Sequence, residues 1–216
     1  MEEEFKSLTT KNTSTLVPPP KDERIIGGMW CLVKKKNEFG EITRYKARWV
    51  CFGNKEPMIH YFDTYSSVAS NKSLKILLSM DINRDMHIFQ FNVETEFLYG
   101  VIDAPVYVSQ VSNFKISGKE SWVWKLNKSL YGTKQAFNQW HSYLSSTLNN
   151  IGMYSCDSDK SLFFSKEKTI YIHMHVDNGL VVGDSRESIE FFLKKLPQTY
   201  KLKISERPNQ HLGYTL

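Results

Sequence analysis

The chain has 216 residues, 41% of them hydrophobic and 24% charged, with 13 Phe, 11 Tyr and 5 Trp. This balance suffices to bury a core and excludes a disordered or low-complexity chain, so one compact unit with at most two lobes is expected. The net charge of +5 is compatible with a polyanionic partner without requiring one.

Residues 1–24 are polar and run into Pro18, Pro19 and Pro20, which cannot sustain a helix, so they are read as an extended N-terminal strap. The folded body, residues 25–216, starts with strand-like runs at 30–36 and 43–52. The turn composition Asn37-Glu38-Phe39-Gly40 joins them as an antiparallel hairpin. Its second arm carries Arg44, Lys46 and Arg48 at alternate positions, and the period of two puts all three cations on one face.

Leu74, Leu77, Leu78 and Ile82 have helical spacing and predict a packed helix over 73–84. A strand follows at 87–93. Residues 135–148 form a second helix, with Trp140, Leu144 and Leu148 on one stripe. Short strands are expected at 162–164, 169–176 and 180–182, the last two joined through Asp177-Asn178-Gly179, the strongest hairpin signal in the chain. Ser185 caps a helix that ends before Pro197. Strands and helices intersperse without a βαβ rhythm, an α+β layout.

Cys31, Cys51 and Cys156 are odd in number and too far apart for a metal clip, which points to a reducing compartment. No apolar run approaches the ~20 residues of a membrane span, and the acidic start Glu2-Glu3-Glu4 is unlike a signal-peptide head. A cytoplasmic or nuclear protein with no membrane association is expected; the oligomeric state is open.

Four segments occur in order: RYKARWVCFGN at 44–54, QFNVETEFLYG at 90–100, KLNKSLYGTKQAFNQW at 125–140 and HVDNGLVVG at 175–183. They resemble the patterns KARLVxxG, QxDVxTAFLxG, LxKxLYGLKQAxRxW and YVDDxLxxG of the reverse transcriptase domain of copia-type LTR retrotransposons. FDTYSSV at 62–68 and the entry MEEEFKSL extend the likeness over nearly the whole chain. The resemblance implies a right-hand polymerase fold, with an antiparallel palm sheet backed by helices and a fingers lobe led by the first hairpin. Ending at Leu216, just after HLGYTL, the chain is expected to hold at most the start of a thumb, without the protease, integrase and RNase H of a Pol polyprotein.

The implied activity is RNA-directed DNA polymerisation on an RNA or DNA primer-template with dNTP and two Mg²⁺ ions. Nucleotidyl transfer of this kind needs carboxylates converging on ions roughly 3.5–4 Å apart. By the resemblance, the three catalytic Asp positions hold Asn92, Asp177 and Asn178. Asp177 is then the one anionic metal ligand, metal binding is expected to be weak or absent, and the copy is expected to be catalytically inactive. Glu94 and Glu96 would share the face of Asn92 if its strand continued, though a small Ala is usual at 96. Lys46 and Arg48 match cations that grip the triphosphate, Phe97 the aromatic that rejects a ribose 2′-hydroxyl, and Gln135 a glutamine beside the incoming sugar. Departures from the pattern extend to Phe137, Asn138 and Ser14. The alternative reading is an inactive domain retained as a nucleic-acid or protein binding module.

Taken singly, each motif has a plainer reading. Asp177-Asn178-Gly179 is a plain hairpin turn, Lys46 and Arg48 are a solvated edge face, and Phe97 and Trp140 are core aromatics. His173 and His175 share a strand face with no third ligand evident, and are read as packing. The joint occurrence of the motifs overturns the first two of these.

Overall fold

The computed structural model describes residues 1–37, 39–56, 69–102, 104–196 and 200–216; FDTYSSV and Pro197 lie outside them. The chain divides into two compact units, Met1–Tyr65 with Phe97–Trp140, and Ser66–Glu96 with His141–Leu216. Helices and several sheets mix in it, with four α-helices among the described residues. No helix there is long and apolar enough to cross a membrane.

The first unit corrects the expected extended strap. Residues Glu2–Thr10 form helix α1, because Phe5 and Leu8, three residues apart, give it an apolar face. Leu8 is fully buried and Phe5 packs beside it in the core, stacked on Phe114 with ring centroids 4.5 Å apart. Strand β1 (Ser14–Val17) follows, so regular structure resumes before the three prolines. Next come β2 (Ile25–Ile26), β3 (Gly28–Lys36) and β4 (Ile42–Cys51). With β6 (Tyr107–Ser109) and β7 (Val123–Leu126), β1 and β2 make a four-stranded sheet in the order β1-β7-β6-β2. Among the described residues strands β3 and β4 pair only with each other, as the hairpin expectation required. Asn37 shapes the turn, its side-chain oxygen accepting from the N–H groups of Phe39 and Glu41 at 3.1 and 2.9 Å.

Glycines of two motifs press together in this unit. A Cβ on Gly53 would lie 1.9 Å from the Gly132 carbonyl oxygen, and one on Gly132, at φ +89°, would lie 2.2 Å from that of Cys51. The Cys51 N–H donates to the Tyr131 carbonyl at 2.7 Å. The end of β4 and the loop bearing Gly132 thus touch backbone to backbone, which only Gly permits.

The second unit is built on a six-stranded antiparallel sheet in the order β12-β5-β11-β10-β9-β8. Its strands are β5 (His87–Val93), β8 (Met153–Ser155), β9 (Leu162–Ser165), β10 (Ile170–His175), β11 (Asn178–Gly183) and β12 (Leu202–Glu206). Helix α2 (Asn71–Arg84) begins at Ser70, whose hydroxyl accepts from the Lys72 N–H at 3.1 Å. Its Leu74 and Leu77 pack on Leu180 and Val182 of β11. Ile82, expected on the buried stripe, is 80% exposed; at eight residues past Leu74 it has rotated off the narrow face that meets the sheet. Helix α3 (Ala136–Asn150), which runs from the end of the first unit into the second, buries Trp140, Leu144 and Leu148 as its spacing predicts. Helix α4 (Arg186–Lys195) starts at Ser185, whose hydroxyl accepts from the Ser188 N–H at 3.2 Å. A terminal hairpin, β13 (Gln210–His211) and β14 (Tyr214–Thr215), places Leu212 and Tyr214 against the α2–β11 cluster.

Candidate functional site

The site in the second unit follows from strand order. Strand β5 is central, paired with β12 on one side and β11 on the other, and its register sets Asn92 opposite both Asn178 and Lys203. Directly opposed residues share a face, so Asn178, Asn92 and Lys203 make one row across three strands.

The hairpin between β10 and β11 corrects the expected turn. His175 pairs with Asn178, so the two loop residues are Val176 and Asp177, while Asn178 and Gly179 belong to β11. Gly179 is needed for packing: a Cβ there would lie 2.4 Å from the Phe91 ring. The positive φ falls instead on Val176, at +57°, at the first loop position, where a II′ turn ordinarily carries Gly. A β-branched residue in that region is strained. The Val93 N–H donates to the Asp177 carbonyl at 2.9 Å and fastens the hairpin tip to the end of β5.

These constraints bring the three predicted positions together. The Asn92 side-chain amide donates to the Asp177 carboxylate at 2.8 Å and to the Asn178 side-chain oxygen at 3.1 Å. The amide is oriented by chemistry, since an ionised carboxylate can only accept. All three residues are half-buried.

The two spare acids are used otherwise. The β5 strand stops at Val93, and Thr95 has φ +56°, so Glu96 does not continue the face of Asn92. Glu94 forms ion pairs with Lys203 at 2.8 Å and Lys201 at 2.9 Å. These lysines, Lys203 foremost, hold its carboxyl down at about 2. Glu96 is buried in the 3-10 turn Glu96–Tyr99. Among the described residues no three His, Cys, Asp or Glu side chains are grouped so as to hold a metal ion.

The remaining predicted residues belong to the first unit. Arg48 lies over the Tyr131 ring, 4.8 Å from its centroid, and shares a face of β4 with Lys46. Phe97 is buried among aromatic rings, edge-on to Tyr131 at 5.2 Å and Phe137 at 4.8 Å. Gln135 is 2% exposed, and among the described residues neither atom of its amide has a hydrogen-bond partner.

Sequence reasoning missed His211, which lies beside the His pair, its ring 5.9 Å from that of His173. Both are buried, and neither nitrogen of His211 is hydrogen-bonded among the described residues. Burial first, and then the neighbouring His173 and His175, lower His211 to about 4. It was illegible because no motif links it to residues some 35 positions earlier in the chain.

The family model described as reverse transcriptase (RNA-dependent DNA polymerase) matches residues 11–216. The chain is 35% identical to the retrovirus-related Pol polyprotein from transposon RE1 of Arabidopsis thaliana, over 99% of this chain and 15% of that protein. Identity is 34% to the polyprotein from transposon RE2 of the same plant, with the same shares, and 32% to that from transposon TNT 1-94 of Nicotiana tabacum, with 99% and 16% covered. The chain therefore belongs to the reverse transcriptase family, and the copia-type likeness carried by its four segments stands with it. It spans about 15% of the length of these curated relatives.

Proposed function

We propose that this chain is a copia-type reverse transcriptase domain that no longer catalyses RNA-directed DNA synthesis. In this reading the six-stranded sheet with α2 and α4 is the palm and the β3–β4 hairpin leads the fingers. The observation that carries it is the Asn92 amide bridging Asp177 and Asn178. Three carboxylates here would repel one another until a cation bound; an amide donor instead satisfies the one remaining carboxylate from within the protein. Asparagine matches aspartate in shape but offers a neutral oxygen, so the formal charge across the three positions falls from three to one.

This donor set does not fit two Mg²⁺ ions, which demand several anionic oxygens. Lys203 adds a cation to the same row. Recruiting Glu94 would break two ion pairs. Polymerisation through Glu94 or Glu96 is therefore disfavoured, and no catalytic step is assigned.

By the resemblance, Lys46, Arg48, Phe97 and Gln135 would meet the dNTP, and primer-template would be the partner. A second reading, retained nucleic-acid binding, is favoured by the cation row of β4, because phosphate contacts need positive charge but no metal. Primer extension in Mg²⁺ and Mn²⁺ tests the first reading: no product is expected. Templated extension by the unaltered chain would overturn it.

A further inference from the structure

Face assignments on the β3–β4 hairpin follow from its register. Lys35 pairs with Arg44, Val33 with Lys46 and Cys31 with Arg48, so Lys35, Arg44, Lys46 and Arg48 form one cationic face. Helix α1 packs against β4. Its Glu3 carboxylate sits 3.2 Å from the Arg44 guanidinium, with both side chains mostly exposed. One residue on, half-buried Glu4 has its carboxyl raised, first by burial, with Arg48, the Trp49 backbone N–H and Lys46 acting the other way. Glu3 of the helix thus meets Arg44 of a strand some 40 residues away, and Glu4 lies in the field of Arg48 and Lys46 on the same face.

Acids in a first helical turn also suit the helix dipole. Glu2, Glu3 and Glu4 all occupy that turn, yet Glu2 makes no ion pair among the described residues. The dipole treats the three alike; the hairpin does not. The helix is also anchored independently of these charges, by Leu8 and Phe5 in the core and by β1 pairing with β7 beyond it.

We infer that α1 is a built-in competitor for polyanions, its Glu3 and Glu4 carboxylates occupying the phosphate-binding face that Arg44, Lys46 and Arg48 present on β4. This rests on the reading of that face as a nucleic-acid surface. Phosphodiester groups reaching the strand exchange with the two carboxylates, so the face binds nucleic acid more weakly than its cations alone would. The contact sets an affinity ceiling that the sequence of α1 controls.

The full-length chain tests this with Glu3→Gln/Glu4→Gln, which keeps side-chain shape and removes two charges, against unaltered protein and Glu2→Gln as a dipole control. Two probes are titrated across salt: a short DNA duplex and inorganic tripolyphosphate. The double variant is expected to bind both roughly three- to ten-fold more tightly at low salt. Its log K against log salt plot should steepen by about one to two for the duplex, since each freed cation adds about 0.9; Glu2→Gln should match the unaltered chain. Glu3→Gln alone, at an exposed position, covers the case in which the double variant misfolds, and should show a smaller gain of the same sign. If the duplex binds unaltered and variant chains with equal affinity and slope, or if Glu2→Gln reproduces the gain, the competitor is refuted while nucleic-acid binding stands. If tripolyphosphate alone shows the gain, the competitor stands and the nucleic-acid reading falls. Binding of neither probe to any form refutes both.

Discussion

The Asn92 site and the β4 cation row make opposite demands on sequence. Two-metal chemistry needs three anionic groups at fixed positions, and neutralising one or two of them removes the function. A phosphate-facing surface needs only a sum of positive charge, which survives the loss of any member. In this chain the three positions of the first hold a hydrogen-bonded trio with a single carboxylate, Asp177, whereas the second keeps Arg44, Lys46 and Arg48 on one face.

The comparison breaks most severely at the glycines that carry each region. Gly132→Ala would drive a Cβ into the Cys51 carbonyl at 2.2 Å with φ +89°, and backbone cannot yield. A loss of roughly 4 kcal/mol or more is expected, the range of severe backbone defects, read as collapse of the thermal transition. Gly179→Ala meets the Phe91 ring and the Met174 sulfur, groups that can shift, so a smaller loss of about 2 kcal/mol is expected. Equal losses would mean that the two motifs are held with the same rigidity.

Restoring charge sharpens the contrast. Asn92→Asp/Asn178→Asp should acquire a Mn²⁺-dependent rise in unfolding free energy, about 2.7 kcal/mol at a hundredfold excess over Kd. The unaltered chain should show none, and either single change should give much less than half. Equal Mn²⁺ response in the double variant and the parent would show that the three positions do not form one metal site.

Acid should act on the second unit through His211. Its folded value, about 4, lies below the ordinary ~6.5 of an unfolded His, so the unfolded chain binds the extra proton. Stability is then fully present above pH ~6.5 and is lost as pH falls toward about 4, by roughly 2–3 kcal/mol. His173, also lowered chiefly by burial, adds in the same direction. His211→Leu should flatten the stability profile in this window; an unchanged slope would assign the acid response elsewhere.

The smallest effect is expected at Glu94. Its partners Lys201 and Lys203 are largely exposed, so Glu94→Gln should cost only about 0.5 kcal/mol, declining with added salt. A loss above ~2 kcal/mol would indicate that this pair, and not the strand register, holds β12 beside the site.

What could be read in advance follows from periodicity. The hairpin β3–β4, helices α2 to α4 and strands β5, β9, β10 and β11 all announced themselves through alternating or helical spacing. Helix α1 did not, because nine residues with two apolar anchors look polar in isolation and its stability comes from the core it meets. The Asn178-Gly179 signal misled because a glycine that suits a turn equally suits a close approach, here to Phe91. That Asn92, Asp177 and Asn178 come together was legible through the motifs. The amide bridge, the lysines on Glu94 and the burial of Glu96 were not, since each depends on a neighbouring strand or fold environment with no local sequence trace.

The turn at Val176 carries a last consequence. Its left-handed residue and the Val93–Asp177 backbone bond involve no side-chain atom of positions 92, 177 or 178. Posture and polarity are thus written in separate alphabets at this hairpin tip, one in main-chain torsions and the other in side-chain termini. The second can change without the first, and two isosteric Asn→Asp replacements would triple the negative charge at the tip with the main chain unaltered.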